Sequence, residues 1–180
     1  MDHIRITCRC GRSAMVVSGP PIMAAECHCA SCRKAAKIME ALPQGVSELV
    51  QTGGTQFVLM RKDRVAFDDG AEHLHHFRLK PDSKTRRVIA TCCNSPMFLE
   101  FADGHWLSVY AARWSAEMRP KMDLRTMTKD RVDKTPLPPD MPNPKSHNAR
   151  FMLKLLGAWV AMRFRVPMVR VGQERIVFDV

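Results

Sequence analysis

The spacing of the cysteines constrains this chain more than any other feature of its sequence. Its seven cysteines fall into three tight groups, which are Cys8-x-Cys10, Cys27-x-Cys29-x-x-Cys32 and the adjacent pair Cys92-Cys93. Because seven is an odd number, the chain cannot pair every cysteine internally, which argues against a disulfide framework. With 180 residues it is also long enough to bury a core without disulfides. Metal binding or thiol catalysis explains the grouping better.

No targeting or membrane-spanning segment is predicted. The N-terminal residues contain no apolar stretch of the kind found in secretory signals. In the most apolar region, residues 151–166, the longest uncharged piece covers only 155–162, whereas a membrane span needs about 20 residues. We therefore expect a cytoplasmic protein in a reducing environment, where clustered cysteines act as metal ligands or reactive thiols.

Each of the two Cys-x-Cys motifs is suited to bind a metal ion through both of its sulfurs. Residues i and i+2 of an extended strand point to the same side, so each motif can present two sulfurs to one ion. A helix is predicted at residues 31–42, and Cys29-x-x-Cys32 straddles its start, where the helix dipole favours a thiolate. Zinc binds thiolates with tetrahedral geometry. The alternative is that the cysteines are small buried hydrophobic residues, which fits isolated cysteines better than these clusters.

Seven sulfurs divide into a group of four and a group of three. Four thiolates make a closed structural zinc site, whereas three leave one coordination position for water or a substrate. The Cys27-x-Cys29-x-x-Cys32 triplet is compact enough to hold one ion alone, which makes it the candidate open site. The first cysteine pair needs distant partners, and the last pair supplies the only sulfurs left.

Composition divides the chain into three zones. Residues 1–112 hold all the cysteines and are typical of short strands separated by turn residues. Residues 113–146 are polar and rich in proline, which predicts an irregular linker or a strap over the surface. Residues 147–180 predict a basic amphipathic helix and a short terminal strand. The expected fold class is mainly β, with short antiparallel strands, one short helix and a C-terminal helical appendage.

Residue patterning places the individual elements. Strands are predicted at residues 4–7, 14–17, 56–60, 65–67, 72–79, 86–91, 96–101, 106–110 and 175–179. A second helix is predicted at residues 147–165. Five apolar residues form a stripe along one side of that helix, namely Phe151, Leu155, Ala158, Trp159 and Met162.

The net charge of +10 belongs mostly to the C-terminal part of the chain. Residues 113–180 contain 14 basic and 7 acidic residues, against 14 and 11 in residues 1–112. We interpret the second predicted helix as one that docks its apolar stripe on the β domain and leaves a basic face in solvent. Binding to a membrane surface or a protein partner is the alternative. There is no strong nucleic-acid signal, because aromatic residues do not interleave with a basic strand.

Two cations follow the triplet along the chain. Arg33 and Lys34 are predicted to keep the sulfurs deprotonated or to meet an anionic substrate, and a solvated helix face explains them equally well. His28 lies between two candidate ligands, so in a strand it points away from the ion, which favours a packing or surface role. His73 and His75 share a strand face but have no third ligand nearby in sequence, which favours a solvated face.

Taken together, the motifs resemble the family of glutathione-dependent formaldehyde-activating enzymes and centromere protein V. The resemblance covers roughly residues 4–112 and suggests a divergent branch. It rests on Cys8-x-Cys10-Gly11, the Gly19-Pro20 turn, Cys27-His28-Cys29-x-x-Cys32-Arg33 and the run Cys93-Asn94-Ser95-Pro96-Met97-Phe98. It implies a β-tent fold that binds two zinc ions, one structural and one potentially catalytic. By that pattern, Cys27, Cys29 and Cys32 are the catalytic ligands, whereas Cys8, Cys10 and Cys93 belong to the structural site.

The last cysteine pair departs from the family's pattern, which is Cys-x-x-Cys-Gly. Aligning Cys93 on the second cysteine leaves Ala90 at the first position and Asn94 at the glycine. Four alternatives are then open for Cys92. It could complete the structural site, close the open position of the triplet, stay free or form a disulfide with Cys93. Because adjacent residues of a strand face opposite ways, both cysteines could reach one ion only at a turn.

Two functions remain open from the resemblance. The first is a zinc-dependent carbon–sulfur lyase, which would act on an adduct of a small thiol, such as glutathione, with an aldehyde. Its site would be the three-cysteine zinc centre. The second is a non-catalytic zinc module whose basic C-terminal region binds a partner or nucleic acid. The coordination of the triplet's metal and the destination of Cys92 separate the two.

Overall fold

Residues 3–178 are described by a computed structural model, which contains ten strands and two α-helices in that range. The strands are β1 His3–Thr7, β2 Ala14–Ser18, β3 Met23–Cys27, β4 Thr55–Arg61, β5 Val65–Phe67, β6 Leu74–Phe77, β7 Thr85–Ala90, β8 Ser95–Phe101, β9 Trp106–Tyr110 and β10 Leu124–Thr126. The α-helices are α1 Ala30–Glu40 and α2 Ala149–Ala161. Short 3₁₀ helices cover Lys62–Arg64, Ala71–His73, Ala111–Arg113 and Thr128–Asp130.

The strands form two sheets. The smaller has the order β1-β2-β5, and the larger has the order β10-β3-β4-β9-β8-β7-β6. All neighbouring strands are antiparallel except β10, which pairs in parallel with β3. The larger sheet therefore spans most of the chain, and its two faces are available for two separate cores.

Alternation along the strands divides the apolar residues between those two cores. In β4, Val58 and Met60 pack with the smaller sheet, whereas Phe57 and Leu59 belong to the other core. This follows from the two-residue period of a strand, which sends successive side chains to opposite faces. The second core lies beneath both α-helices. Each core receives cysteines, so the two groups of sulfurs lie on opposite faces of the larger sheet.

Helix α1 begins directly after β3 and is capped by a cysteine. The side chain of Cys29 accepts a hydrogen bond from the backbone N–H of Cys32 at 3.3 Å, in the place where serine or aspartate usually caps a helix. Ala35, Ala36 and Met39 are buried, at the spacing of one helix face. Helix α1 covers residues 30–40, close to the predicted 31–42.

Helix α2 docks on the larger sheet through the predicted stripe. Phe151 and Leu155 are buried in the second core, and Met162 is buried just past the last turn. The helix ends at Ala161, earlier than predicted, because Arg163 and Phe164 both adopt positive φ angles. Its outward face is less polar than expected, since four apolar side chains are exposed there: Met152, Leu153, Leu156 and Val160.

The sequence patterns located most strands, and the mainly β fold class with a short helix and a C-terminal helix is confirmed. Strands β3 and β10 were not predicted, and predicted strand 72–79 is reduced to Leu74–Phe77 behind a 3₁₀ turn. Predicted strand 175–179 was wrong over the described residues, where Arg175 makes only an isolated bridge to His76; residue 179 lies outside them. Residues 113–146 include β10 and a 3₁₀ turn, and we call the irregular, proline-rich part after Asp130 the strap. The predicted domain boundaries stay a prediction.

Within residues 3–178, no helix combines the length and the apolar character that crossing a bilayer requires.

Candidate metal centres

The first centre is a four-cysteine group made of Cys8, Cys10, Cys92 and Cys93. The four sulfurs all lie within 4.8 Å of one another. Cys8 Sγ lies 3.5 Å from Cys10 Sγ and 3.7 Å from Cys92 Sγ. A zinc ion with bonds of about 2.3 Å to four sulfurs would space them about 3.8 Å apart, whereas a disulfide bond is about 2.0 Å long. The spacing therefore suits a shared metal ion, and the cysteines are free.

Two tight turns bring these sulfurs together. Gly11, at the turn between β1 and β2, has a φ of 77°, and Asn94, between β7 and β8, has a φ of 51°. Glycine and asparagine are the residues that enter this left-handed region most readily. Because residues 91–94 form a turn, Cys92 and Cys93 both reach one group instead of facing opposite ways. Of the alternatives for Cys92, the geometry places it with Cys8 and Cys10.

Hydrogen-bond donors surround the four-cysteine group. The backbone N–H of Ser13 donates to Cys8 Sγ at 3.3 Å, and Arg9 donates to the Cys93 carbonyl at 2.7 Å. Hydrogen bonds from the backbone and side chain of Arg12 lower the pKa of the exposed Cys10 thiol to about 6. Because the thiolate is the form that binds metal, the donors to the sulfurs of Cys8 and Cys10 favour metal binding.

The second centre is the three-cysteine group of Cys27, Cys29 and Cys32, at the junction of β3 and α1. Its sulfurs also lie within 4.8 Å of one another, and among the described residues no fourth His, Cys, Asp or Glu joins them. Hydrogen bonds from the other two thiols hold the pKa of Cys29 well below its usual range. The same contacts, with burial, raise the pKa of Cys27. The three thiols are therefore electrostatically coupled, and a bound cation would stabilise their thiolate forms.

A cavity of about 360 Å³ opens beside the three-cysteine group. All three cysteines line it, and its walls come from β4, β8, β9 and α2. His147 also lines it, with Nδ1 placed 3.0 Å from Thr126 Oγ1 and its ring stacked on Phe151 at 4.3 Å. The four-cysteine group has no share in this cavity. The two centres therefore differ in access as well as in the number of sulfurs.

The two cations predicted beside the triplet point elsewhere. Arg33 Nη1 donates to the His28 carbonyl, and Lys34 lines a different cavity next to Phe77. Neither residue lines the cavity of the three-cysteine group. Their predicted role toward an anionic substrate stays a prediction that this geometry does not support. The cation in the cavity is Arg87 of β7.

Sequence reasoning missed Arg87 and His147. Arg87 lies two residues before Ile89 in β7 and therefore on the strand face that packs in the second core. A charged residue at that position interrupts the apolar pattern of that face, and the sequence alone could have revealed it. His147 gave no such signal, because its approach to the cavity depends on where the strap returns the chain. His28 is buried, which agrees with the packing role of the two that the sequence favoured, and its Nε2 lies 3.0 Å from Glu26 Oε1. His75 contacts Glu174 at 3.4 Å and joins no metal group in the described part of the chain.

Glu26, next to the first triplet cysteine, organises a buried polar network. Its carboxylate accepts hydrogen bonds from Gln56 Nε2 at 3.0 Å and Arg125 Nε at 3.1 Å, and from Thr52 Oγ1. Arg125 in turn donates to Asp140 at 2.7 Å and to carbonyl and amide oxygens of the proline-rich strap. The strap is thereby tied to the strand that ends at the three-cysteine group.

This network predicts a specific pH dependence of stability. Burial opposes ionisation of Glu26, but its hydrogen bonds with His28, Thr52 and Gln56 and the charge of Arg125 lower its pKa from 4.5 to about 2. The carboxylate therefore contributes stability that is complete above about pH 4.5 and is lost as the pH falls toward 2. In urea unfolding, the gap in midpoint between the wild type and Glu26→Gln should be constant near neutral pH and shrink below about pH 4.5. A gap that stays constant on acidification would contradict this assignment.

Comparison with known proteins agrees with the sequence motifs. The family model described as glutathione-dependent formaldehyde-activating enzyme matches residues 3–128. A solved structure of a Rhodobacter sphaeroides protein is 16% identical, with a TM-score of 0.44, over 62% of this chain and 88% of that one. No curated protein matches. Since the family model spans more than half of the sequence, including all seven cysteines, the chain belongs to the glutathione-dependent formaldehyde-activating enzyme family.

Proposed function

We propose that the chain is a zinc-dependent carbon–sulfur lyase that acts on a thiol–aldehyde adduct at the three-cysteine group. The observation that carries the proposal is the contrast between the two centres. Four sulfurs gather at one, whereas three sulfurs gather at the other and line a cavity. Four thiolates saturate a tetrahedral ion, but three leave a position for a ligand. The cavity supplies the space in which that ligand would lie.

The residues present fit zinc at both centres. Sulfur is the donor that structural zinc prefers, and the separations within each group suit one ion. Cys8, Cys10, Cys92 and Cys93 would hold the structural ion, and Cys27, Cys29 and Cys32 the other. When bound at the three-cysteine group, zinc would supply a Lewis acid that favours the thiolate form of a substrate thiol.

The chain's own residues provide positioning and a proton acceptor. The apolar walls of the cavity exclude water from the adduct, and β3 with the α1 N-terminus fixes the three sulfurs. Burial lowers the pKa of His147, so its imidazole is neutral near pH 7 and can accept a proton. With Nδ1–H donating to Thr126 Oγ1, Nε2 is unprotonated in the neutral ring and is the nitrogen that would accept the proton.

The reaction needs no oxidant or reductant. In the lyase direction the carbon–sulfur bond of a hemithioacetal breaks, and its electron pair stays on sulfur. The hydroxyl proton passes to a base such as His147, and the hydroxyl oxygen becomes the aldehyde oxygen. The base then returns the proton to solvent or to the departing thiolate. The reverse sequence joins thiol and aldehyde.

The activity can be measured by exchange NMR on mixtures of formaldehyde and glutathione. The wild type with zinc bound should accelerate exchange at least about tenfold over buffer, and Cys29→Ser should remove most of that acceleration. Cys29→Ser should also lose one zinc per chain and stay folded. Glu40→Ser, at an exposed position of the same helix, is the matched control and should exchange like the wild type. No acceleration by zinc-loaded wild type with this or any other thiol would contradict the proposal.

The alternative is a non-catalytic zinc module, and one observation favours it. The outward face of α2 exposes four apolar side chains beside Arg150 and Lys154, which is a surface suited to a partner. This reading leaves the cavity beside the three-cysteine group without a use. It becomes the better description if the exchange experiment shows no acceleration.

A further inference from the structure

We propose that the thiol accepted at the three-cysteine group has an apolar body and a single carboxylate, and that the carboxylate pairs with Arg87. The inference rests on the proposed function and specifies its substrate class. It predicts that glutathione, although a substrate of the family, binds this member less tightly than such a thiol does.

The walls of the cavity favour an apolar ligand body. Large apolar side chains line it from four directions, among them Phe57, Leu99, Phe101, Trp106, Phe151 and Leu155. These side chains belong to β4, β8, β9 and α2, so a ligand would be enclosed by both sheet and helix. Ligand pockets lined in this way gain most of their affinity from apolar contact, and a few polar groups set the orientation.

Among residues 3–178, Arg87 is the one Lys, Arg, Asp or Glu side chain that lines the cavity. It is 2% exposed, and its Nη2 donates to the Ser31 carbonyl at 3.2 Å. Its Nε is buried without a hydrogen-bond partner. A buried guanidinium costs free energy unless an anion and hydrogen-bond acceptors surround it. The site is therefore incomplete without an acceptor.

Other buried cations of the chain show what Arg87 lacks. Lys62 and Arg86 each contact Glu100 at 2.6 Å, and Arg125 contacts Glu26 at 3.1 Å. For Arg87, no carboxylate lies within ion-pair distance in residues 3–178, and its Nη2 donates to a backbone carbonyl. Its charge acts there on the Cys32 thiol, where it opposes the rise that burial causes in the pKa. What Arg87 lacks is a carboxylate partner, and we infer that a ligand entering the cavity supplies it.

Glutathione matches this cavity less well than a monocarboxylate thiol for a chemical reason. It carries two carboxylates and an ammonium group, whereas the described residues that line the cavity offer one guanidinium and no carboxylate. At least two charges of a bound glutathione would have to remain unpaired or outside. Burying an unpaired charge costs several kcal/mol. A thiol with one carboxylate matches the single guanidinium.

The test compares four thiols on the full-length, zinc-loaded protein by isothermal titration calorimetry. The probes are 2-mercapto-3-phenylpropanoate, its methyl ester, 2-mercaptopropanoate and glutathione. The ester removes the charge, and the propanoate removes the aromatic ring. We expect the phenyl acid to bind about tenfold more tightly than each of the other three, because each lacks one matched feature.

Two variants assign the preferences to their residues. Arg87→Met should abolish the preference for the acid over the ester and keep the preference for the phenyl group. Leu99→Ala, a half-buried wall residue, should weaken the phenyl preference and keep the acid preference. Because Arg87→Met is a buried substitution, its fold is checked by circular dichroism. If it does not fold, the comparison of acid with ester on the wild type still decides the matter.

The outcomes separate this inference from the proposed function. Glutathione binding as tightly as the phenyl acid would overturn the inference, and continued thiol–formaldehyde exchange would then leave the proposed function standing. Equal binding of acid and ester by the wild type would also overturn it, since Arg87 would then be paired with the metal centre itself. If no thiol binds or exchanges, both fail.

Discussion

Cys8→Ser is expected to abolish the cooperative unfolding of the native protein and to remove one zinc per chain. Cys8 is buried, its sulfur lies near two others of its group, and its group joins β1 to the turn between β7 and β8. Structural zinc contributes about 10–16 kcal/mol to the folding of small zinc domains. That is comparable with the whole stability of an ordinary domain, about 5–15 kcal/mol. Losing the ion should therefore remove most of the stability.

The measurement combines zinc analysis with thermal unfolding. Cys29→Ser is the matched control, because it makes the same substitution in the group whose sulfurs all come from one β–α junction. It should lose one zinc and keep a cooperative transition. Removing both ions from the wild type with a chelator should reproduce the Cys8→Ser result. A wild type that binds fewer than two zinc ions, or a Cys8→Ser protein as stable as Cys29→Ser, would contradict the two-centre description.

Arg125→Met is expected to destabilise the protein by about 3–5 kcal/mol, because it leaves Glu26 buried beside an empty position. Arg125 connects that carboxylate to Asp140 and to the proline-rich strap. Glu26→Gln should have a similar effect. The double variant should cost less than the sum of the two, since it removes both charges together. Urea unfolding of the four proteins gives the coupling energy directly.

Arg131→Met provides the control for this cycle. It makes the same substitution near the same strap, but Arg131 faces the exposed Asp133 at 3.9 Å. An ion pair at this distance with so exposed a carboxylate contributes about 0–1 kcal/mol. Faster hydrogen exchange in residues 138–143 should accompany Arg125→Met and not Arg131→Met. Equal effects of the two substitutions would show that the buried network does not hold the strap.

Neither missed strand carries a strong pattern of its own. Strand β3 reads Met-Ala-Ala-Glu-Cys, which contains helix-favouring residues, and it is a strand because β4 and β10 pair with it on both sides. Strand β10 has three residues, and its parallel pairing depends on the return of the chain beside β3. Both are set by contacts between distant residues, which periodicity does not report.

The cysteine spacing determined those features of the fold and the site that depend only on residues close together in the sequence. It determined which sulfurs share a side, where α1 starts, that one group of three is self-contained, and to which family the motifs belong. Only the tertiary structure decided where Cys92 goes, because a turn with Asn94 in the left-handed region reverses its direction. It alone placed Arg87 in an apolar cavity, with no carboxylate partner among residues 3–178. Local geometry follows from backbone periods and caps, whereas the pairing of a buried charge depends on which distant strands and helices surround it.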